Sequence, residues 1–348
     1  MIIKIFWNIV FLVFLQSSAV PVKKNPVPLW KDDYHVEIKE LLTIGSDRED
    51  ATDFLFSAVN DIRIDNRNRV YVLDRKESVI KIFDENGVFI EEIHLKRGQG
   101  PGEFIRPAFF DLSENRLYVS DEGGDRLTIL DWEGRYVTSM RTDFHPGRIA
   151  VGKGSRIFVD SGFLSKDKDE FRSIDTARKT EEFAFCRETE ESRLFRRVGG
   201  TGELCTDNEG NVYISSHIPY LIRKYNPDGV LLCEFSREME IKKIITGRDS
   251  GLPDTNIWTS GITVLPDGKV LNVFAWRVED RMERAFDIFS AEGDWLLTFA
   301  DTDLPGKTSF RRLVKADHKG NLYMEYWAPY PHIKKYSLKI LKNEKGSP

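Results

Sequence analysis

Arginine, histidine and aromatic residues recur at scattered points of this 348-residue sequence. A guanidinium group forms charge-assisted, two-pronged hydrogen bonds with carboxylates and other oxyanions, and an aromatic ring beside it adds an apolar or cation–π contact. If such residues converge, they can hold an anionic sugar, a peptide or a carboxylate. The candidates are Arg75, Arg106, His145, His217, Trp276, Arg277, Arg311, Trp327, Tyr330 and His332.

Metal binding is a second chemistry that these residue types allow. His145, His217 and His332 are distant in sequence, so a zinc ion would need three separate segments to meet. The recurrent Asp74 and Asp121 are oxygen donors of the kind that calcium prefers. However, each Asp ends an apolar run, where its carboxylate is better placed to accept hydrogen bonds from loop N–H groups. We therefore predict no cofactor, with calcium or zinc in a central channel as the alternative.

Motifs for nucleotide binding and for serine catalysis are missing from the sequence. The glycine-rich segment 97–103 lacks a Gly-Lys-Ser/Thr ending and precedes a predicted strand, so no helix N-terminus would face a phosphate. Gly306-Lys307-Thr308 also fails, because Asp301 stands where a phosphate-binding loop needs its first glycine. No nucleophile-elbow sequence supports a Ser/His/Asp triad.

A repeated pattern predicts the elements that must position the candidates. A short apolar strand and a polar turn precede a β-rich run in each copy, and the runs are 70–74, 117–121, 157–160, 212–215, 270–273 and 322–325. A third strand and a second turn follow, and four of these turns open with Asp84, Asp131, Asn226 or Ser290 and end in glycine. Each repeat is therefore predicted to be a four-stranded antiparallel meander.

Six such sheets can bury their apolar faces only against each other, so the repeats are predicted to close into a ring. The sixth repeat has only a weak fourth strand after 333–338, whereas a spare strand at 36–44 has no hairpin partner. Pairing the two predicts an all-β, six-bladed β-propeller closed by the N-terminal strand in the last blade. An open sandwich with an extra strand is the alternative.

The ring places all ten candidates on one face. This loop face consists of the connections between blades and the loops between the second and third strands, at one end of the central channel. No Gly- or Pro-rich linker divides the chain, so we predict one propeller domain over residues 30–342. A short N-terminal segment at 20–29 and a tail at 343–348 flank it.

The first 19 residues are typical of a secretory signal peptide. Lys4 precedes an apolar run from Ile5 to Leu15, and small residues lead to a cleavage site after Ala19. We predict a periplasmic or extracellular protein without a membrane span in its mature chain; an uncleaved anchor is the alternative. The net charge of −5, with both signs mixed, argues against general nucleic-acid binding.

One stretch resembles a known repeat family. Residues 97–104, followed by Arg106-Pro107, resemble the inter-blade segment of NHL-repeat propellers, and 117–121 resembles the strand and Asp of the same repeat. Residues 200–204 look like a degraded copy, whereas the usual Asn-His after the Asp is replaced by Arg75-Lys76. The resemblance implies a six-bladed fold. The resemblance also makes a lyase activity an alternative, since the lyases of the family use histidines of several blades around a channel zinc.

These observations favour an exported, NHL-like binding or interaction module that recognises a protein, peptide or glycan at its loop face. The alternative is a metal-dependent lyase or lactonase-like hydrolase with its site at the central channel. Inward-pointing His and acidic groups would favour the enzyme, whereas an exposed aromatic or apolar patch on one rim would favour the binding module. We predict a non-catalytic role. The sequence does not predict the oligomeric state.

Overall fold

The computed structural model describes residues 20–30, 33–161, 169–187, 202–216, 220–238, 243–244, 254–255, 257–278, 281–304 and 310–343. The predicted signal peptide (1–19), His217 and the predicted tail from residue 344 onward lie outside these residues. The described residues contain no helix that could cross a bilayer. Short 3-10 helices occur at Thr52–Phe54 and Asp301–Asp303.

Strands dominate the structure and form six blades in chain order. Blade 1 contains β3 (Val59–Ile64), β4 (Val70–Asp74), β5 (Val79–Phe83) and β6 (Phe89–His94). Blade 2 contains β7 (Pro107–Leu112), β8 (Leu117–Asp121), β9 (Arg126–Leu130) and β10 (Tyr136–Arg141). Blade 3 contains β11 (Ile149–Val151), β12 (Arg156–Asp160), β13 (Asp169–Asp175) and β14 (Thr180–Arg187). Blade 4 contains β15 (Glu203–Thr206), β16 (Val212–Ser216), β17 (Leu221–Tyr225) and β18 (Leu231–Arg237). Blade 5 contains β21 (Ile257–Val264), β22 (Val270–Val278), β23 (Arg281–Phe289) and β24 (Trp295–Ala300). Blade 6 contains β25 (Phe310–Ala316), β26 (Leu322–Tyr326) and β27 (His332–Lys342). A hairpin of β19 (Lys243–Ile244) and β20 (Asp254–Thr255) lies between blades 4 and 5.

The N-terminal strand β2 (Tyr34–Ile44) is the fourth strand of blade 6. It pairs antiparallel with β27, so that Ile38 faces Leu338 and Ile44 faces Ile333. The inner strand of blade 6, β25, in turn contacts the inner strand of blade 1, β3. The predicted six-bladed propeller and its closure by the N-terminal strand are therefore confirmed.

Among the described residues, the hydrophobic core consists of six clusters, and each of them lies between two neighbouring blades. Tyr71 of blade 1 and Phe110 of blade 2 belong to one of them, for example. Ile44 of β2 and Tyr323 of blade 6 share another with blade 1. The blades thus bury their apolar faces against each other around the whole ring, as the repeat argument requires.

A strand that the sequence analysis did not predict lies just ahead of the propeller. β1 (Val22–Asn25) pairs in parallel with β18 and makes blade 4 five-stranded. The Asn25 side-chain amide donates to Ser236 O (2.8 Å) in blade 4 and to Gly293 O (3.0 Å) in blade 5. The Trp30 N–H then donates to Leu296 O (2.8 Å) of blade 5. Residues 22–30 and 33–44, which we call the N-terminal strap, therefore run along the outer edges of blades 4, 5 and 6.

The turns between the third and fourth strands follow the predicted side-chain chemistry. Asp84, Asp131 and Asn226 each accept a hydrogen bond from the backbone N–H two residues later, at 2.9, 3.1 and 3.0 Å. The glycine that ends such a turn also touches the preceding blade. A Cβ at Gly134 of blade 2 would overlap Ile93 on the outer strand of blade 1. The glycine therefore serves the packing between blades as well as the turn.

Replacing Gly134 by alanine is expected to destabilise the protein more than the same change at Gly154. Both glycines have positive φ (+76° and +68°), so each alanine meets strain of about 1–2 kcal/mol. Only Gly134 also faces Ile93, whereas no atom lies within 4 Å of a Cβ at Gly154. Overpacking should add roughly 1–3 kcal/mol at Gly134, measured by urea unfolding. Equal losses in the two variants would contradict the inter-blade contact.

Candidate functional site

Two buried aspartates position the loops of the predicted ligand face. The Asp74 carboxylate, at the end of β4, accepts hydrogen bonds from Ser57 N (2.6 Å) and Lys76 N (3.1 Å). The Asp121 carboxylate, at the end of β8, accepts hydrogen bonds from Ile105 N (3.0 Å) and from the N–H of Arg106. Both aspartates therefore accept loop N–H groups, as predicted, and they fix the backbone next to Arg75 and Arg106.

The structure brings Arg75 and Arg106 together around one carboxylate. Arg75 Nη2 lies 3.2 Å and Arg106 Nε lies 3.3 Å from the same oxygen, Glu122 Oε2. The Arg106 side chain is half exposed (52%). Sequence reasoning missed Glu122, although its position directly after Asp121 in the loop face was a usable signal.

A cavity of about 350 Å³ opens beside these arginines, between blades 1 and 2. Lys76 and Arg97 also line it, and Arg97 Nη2 donates to Lys76 O (2.6 Å). The exposed Ile105 side chain provides an apolar wall. We call this site the arginine cavity. Its four cationic side chains outnumber the carboxylate that Arg75 and Arg106 share, so it is suited to an oxyanion.

Three further candidates, Trp327, Tyr330 and His332, lie together in blade 6. His332 Nδ1–H donates to Tyr330 O (2.7 Å), and its ring stacks on Tyr326 with 5.2 Å between centroids. Burial lowers the pKa of His332, so the imidazole is neutral near pH 7. Trp327 is exposed (57%), which makes it an apolar contact surface on the loop face.

The remaining candidates are separate from these two groups. His145 Nδ1 contacts the carboxylate of Asp125 in blade 2. Trp276 and Arg277 lie at the end of β22 and Arg311 at the start of β25, but their side chains are outside the described residues. Among the side chains that the structure does describe, no group of three His, Cys, Asp or Glu residues could hold a metal ion.

The opposite end of the channel contains polar residues that the sequence analysis did not single out. A cavity of about 540 Å³ lies among the turns that join first and second strands, and all six blades line it. We call it the turn-face cavity. Arg63, Asp111, Cys205, Thr263 and Lys315 are among its lining residues. Charged residues within short apolar inner strands were the available signal.

Arg63 is the centre of a buried network in this channel. Its Nε donates to Asp111 Oδ1 (2.9 Å), its Nη2 donates to Ile149 O (3.1 Å), and its Nη1 contacts Asp61. Burial raises the pKa of Asp61, and the nearby Arg63 offsets only part of that rise. Three consecutive blades are thereby joined through one guanidinium group.

The carboxylates of this network also cover exposed strand edges. Asp61 Oδ2 of blade 1 accepts Phe110 N (3.1 Å) of blade 2, and Asp111 Oδ2 accepts Val151 N (2.7 Å) of blade 3. The inner strand of a blade has no strand partner on its channel side, so its N–H groups need other acceptors. The polar inner-strand residues therefore stabilise the ring as well as lining the channel.

Comparison with known proteins gives the same architecture. The DUF5128 family, described as a 6-bladed beta-propeller, matches residues 49–217. No curated protein matches the sequence.

The solved structures that resemble the chain are distant in sequence. A DUF4221 family member from Bacteroides vulgatus is 13% identical with a TM-score of 0.65, covering 88% of this chain and 99% of that one. A Bacteroides fragilis protein named as exported is 13% identical with a TM-score of 0.61, covering 91% and 99%. Virginiamycin B lyase from Staphylococcus aureus, in a structure with quinupristin, is 10% identical with a TM-score of 0.53, covering 88% and 99%. These matches and the sheet topology together identify the chain as a six-bladed β-propeller protein.

Proposed function

We propose that this chain is an exported, NHL-like binding propeller that recognises an anionic group of a glycan or peptide in the arginine cavity. The observation that carries the proposal is the convergence of Arg75 and Arg106 on Glu122 beside a cavity that Lys76 and Arg97 also line. A carboxylate of the ligand would take the place of Glu122 on one or both guanidinium groups.

Two features of the loop face support recognition of a larger ligand. Ile105 is exposed at the arginine cavity, and Trp327 is exposed on blade 6. Solvent-exposed apolar side chains next to charged groups are common in binding surfaces, where they add contact area to a polar anchor. The secretory pattern of residues 1–19 supports export, in line with the name of the similar Bacteroides fragilis protein.

The proposal is tested by titrating the protein with polygalacturonate oligomers, poly-glutamate peptide and neutral dextran. At least one of the two anionic probes should bind, and dextran should not. The double variant Arg75→Ala/Arg106→Ala should weaken binding by roughly tenfold for each arginine, measured by calorimetry. Arg67→Ala is the matched control, since Arg67 is an exposed arginine on the opposite face of blade 1.

A variant that is expected to strengthen binding separates loss of the site from loss of the fold. Glu122→Gln removes the carboxylate that competes for both arginines, so it should strengthen binding of the anionic probe by about threefold. The proposal fails if neither anionic probe binds the wild-type protein. It also fails if the double variant binds as well as wild type, or if Arg67→Ala weakens binding equally.

A further inference from the structure

The turn-face cavity contains a cationic group that has no partner among the described residues. Lys315 lies on β25 and lines the cavity wall, where it is partly buried. Within the part of the chain that the structure describes, its ammonium group makes no hydrogen bond or ion pair. Lys315 is not fully enclosed, so its ammonium group is open to the cavity and available to a ligand anion.

The other cations of this cavity are already engaged. Arg63 donates to Asp111, to Ile149 O and to its neighbours on β3. Lys224 Nζ donates to Ala291 O (3.5 Å) and lies 5.1 Å from the centroid of the Tyr213 ring. Lys315 is therefore the cation that a ligand could engage without breaking an existing contact.

The carboxylates near Lys315 are committed to other partners. Asp61 accepts hydrogen bonds from Phe110 N and from Ile62 N (3.1 and 2.9 Å) and contacts Arg63. Glu203 is held by Arg148, with oxygen–nitrogen distances of 2.7 and 3.0 Å. Desolvation and the positive charge of Arg63 together lower the pKa of Lys315, and these two carboxylates only partly oppose that shift.

We propose that the turn-face cavity is a second ligand site, in which Lys315 binds the carboxylate of a small organic monocarboxylic acid. This site lies at the other end of the channel from the arginine cavity and is independent of it. Its volume of about 540 Å³ is within the range of small-molecule sites. Ile64, Val264 and Ala316 line it, are only partly buried, and would contact the apolar body of the ligand.

The choice of a single negative charge follows from the rest of the cavity. Lys315 supplies one unpaired positive charge, whereas Asp207, Asp267 and Asp317 stand at the rim. Each of these three carboxylates accepts a backbone N–H of its own turn, at 2.9, 3.2 and 2.9 Å. They would repel an anion of higher charge. Thr263 adds a hydroxyl to the same wall, and its oxygen accepts Ala316 N (3.3 Å), which leaves the O–H hydrogen for a ligand oxygen.

The test uses the mature chain with benzoate, its neutral analogue benzamide, and inorganic phosphate as probes, followed by ligand-observed NMR and calorimetry. Benzoate should bind more tightly than benzamide and phosphate. Lys315→Met, which keeps the unbranched shape and most of the length of the side chain but removes its charge, should weaken benzoate binding at least tenfold and leave benzamide unchanged. Lys39→Met on the exposed face of β2 and Arg75→Ala/Arg106→Ala on the loop face should both retain benzoate binding.

A stability measurement keeps the result interpretable if the ligand affinity is low. Because the ammonium group is unpaired, Lys315→Met should have a Tm equal to or above that of the wild-type protein. The proposal is overturned if benzoate fails to bind the wild-type protein or binds Lys315→Met equally well. It is also overturned if phosphate binds more tightly than benzoate, or if Lys315→Met lowers the Tm, as removing a paired lysine would.

Discussion

Replacing Arg63 by leucine is expected to lower the free energy of unfolding by about 3–5 kcal/mol, because it leaves two carboxylates in the channel without their shared cation. Arg63 contacts Asp61 and donates to Asp111 and to Ile149 O, so blades 1, 2 and 3 all lose a contact. Urea unfolding followed by circular dichroism measures the loss. Arg67→Leu is the control, since Arg67 lies exposed in the next turn of the same blade.

The free energy of unfolding lost in Arg63→Leu should depend on pH in a defined direction. Burial already raises the pKa of Asp61, and removing Arg63 removes a charge that lowers it, so the pKa rises further. A carboxyl with a raised folded-state pKa stabilises the protein below its unfolded-state pKa and loses that contribution as pH rises through the folded-state value. The deficit of Arg63→Leu should therefore be smaller at about pH 5 than at about pH 8. A deficit that grows toward acid pH would contradict this account of the network.

Removing β2 is expected to abolish cooperative folding. A chain that begins at Gly45 lacks the fourth strand of blade 6, so β27 loses its outer partner from Ile333 to Lys342 and pairs only with β26. Val36 and Ile38 leave the cluster between blades 5 and 6, and Ile44 leaves the cluster between blades 6 and 1. We expect the truncated chain to bind a hydrophobic dye and to unfold without a cooperative transition. A synthetic peptide of residues 20–45 should restore the transition when added in excess.

A pair of adjacent substitutions tests the same closure in the full chain. Ile38 packs against the cluster between blades 5 and 6, whereas Lys39 is exposed on the other face of β2. Ile38→Asp should be strongly destabilising, and Lys39→Asp should remain within about 0.5 kcal/mol of wild type. If the truncated chain unfolds at the midpoint of the full-length protein, or the two substitutions are equivalent, β2 does not latch the ring.

Local chemistry explains which parts of the fold were predictable. The turn at Asp84 is specified within a few residues by a side chain that accepts from the backbone two positions later. Ring closure by β2 was predictable because Val36 and Ile38 alternate with polar residues in the sequence and because the sixth repeat lacked a clear fourth strand. By contrast, β1 has four residues, two of them lysines, and its position depends on hydrogen bonds of Asn25 to distant carbonyl groups. No hydrophobic periodicity in the sequence predicts such a strand.

The same distinction between local and long-range contacts applies to the candidate sites. Topology placed Arg75 and Arg106 on one face, and the structure puts them on one carboxylate. In the inner strands, Asp61 and Arg63 alternate with apolar residues, as the solvent-facing residues of any exposed strand would. Only the packing of blade 2 against blade 1 brings Asp111 to Arg63. The polar channel was therefore not predictable from any one repeat, because its contacts connect different repeats.

The N-terminal strap has a consequence for the order of folding. Its residues are synthesised first, yet Asn25 bonds Ser236, 211 positions later, and Glu40 bonds Lys334, 294 positions later. Loop closure over such separations is slow, and the contacts that reward it do not exist until blades 4, 5 and 6 have been made. The contacts of the strap with blade 6 can therefore form only after the whole propeller has been synthesised, so we expect closure of the ring to follow formation of the earlier blades.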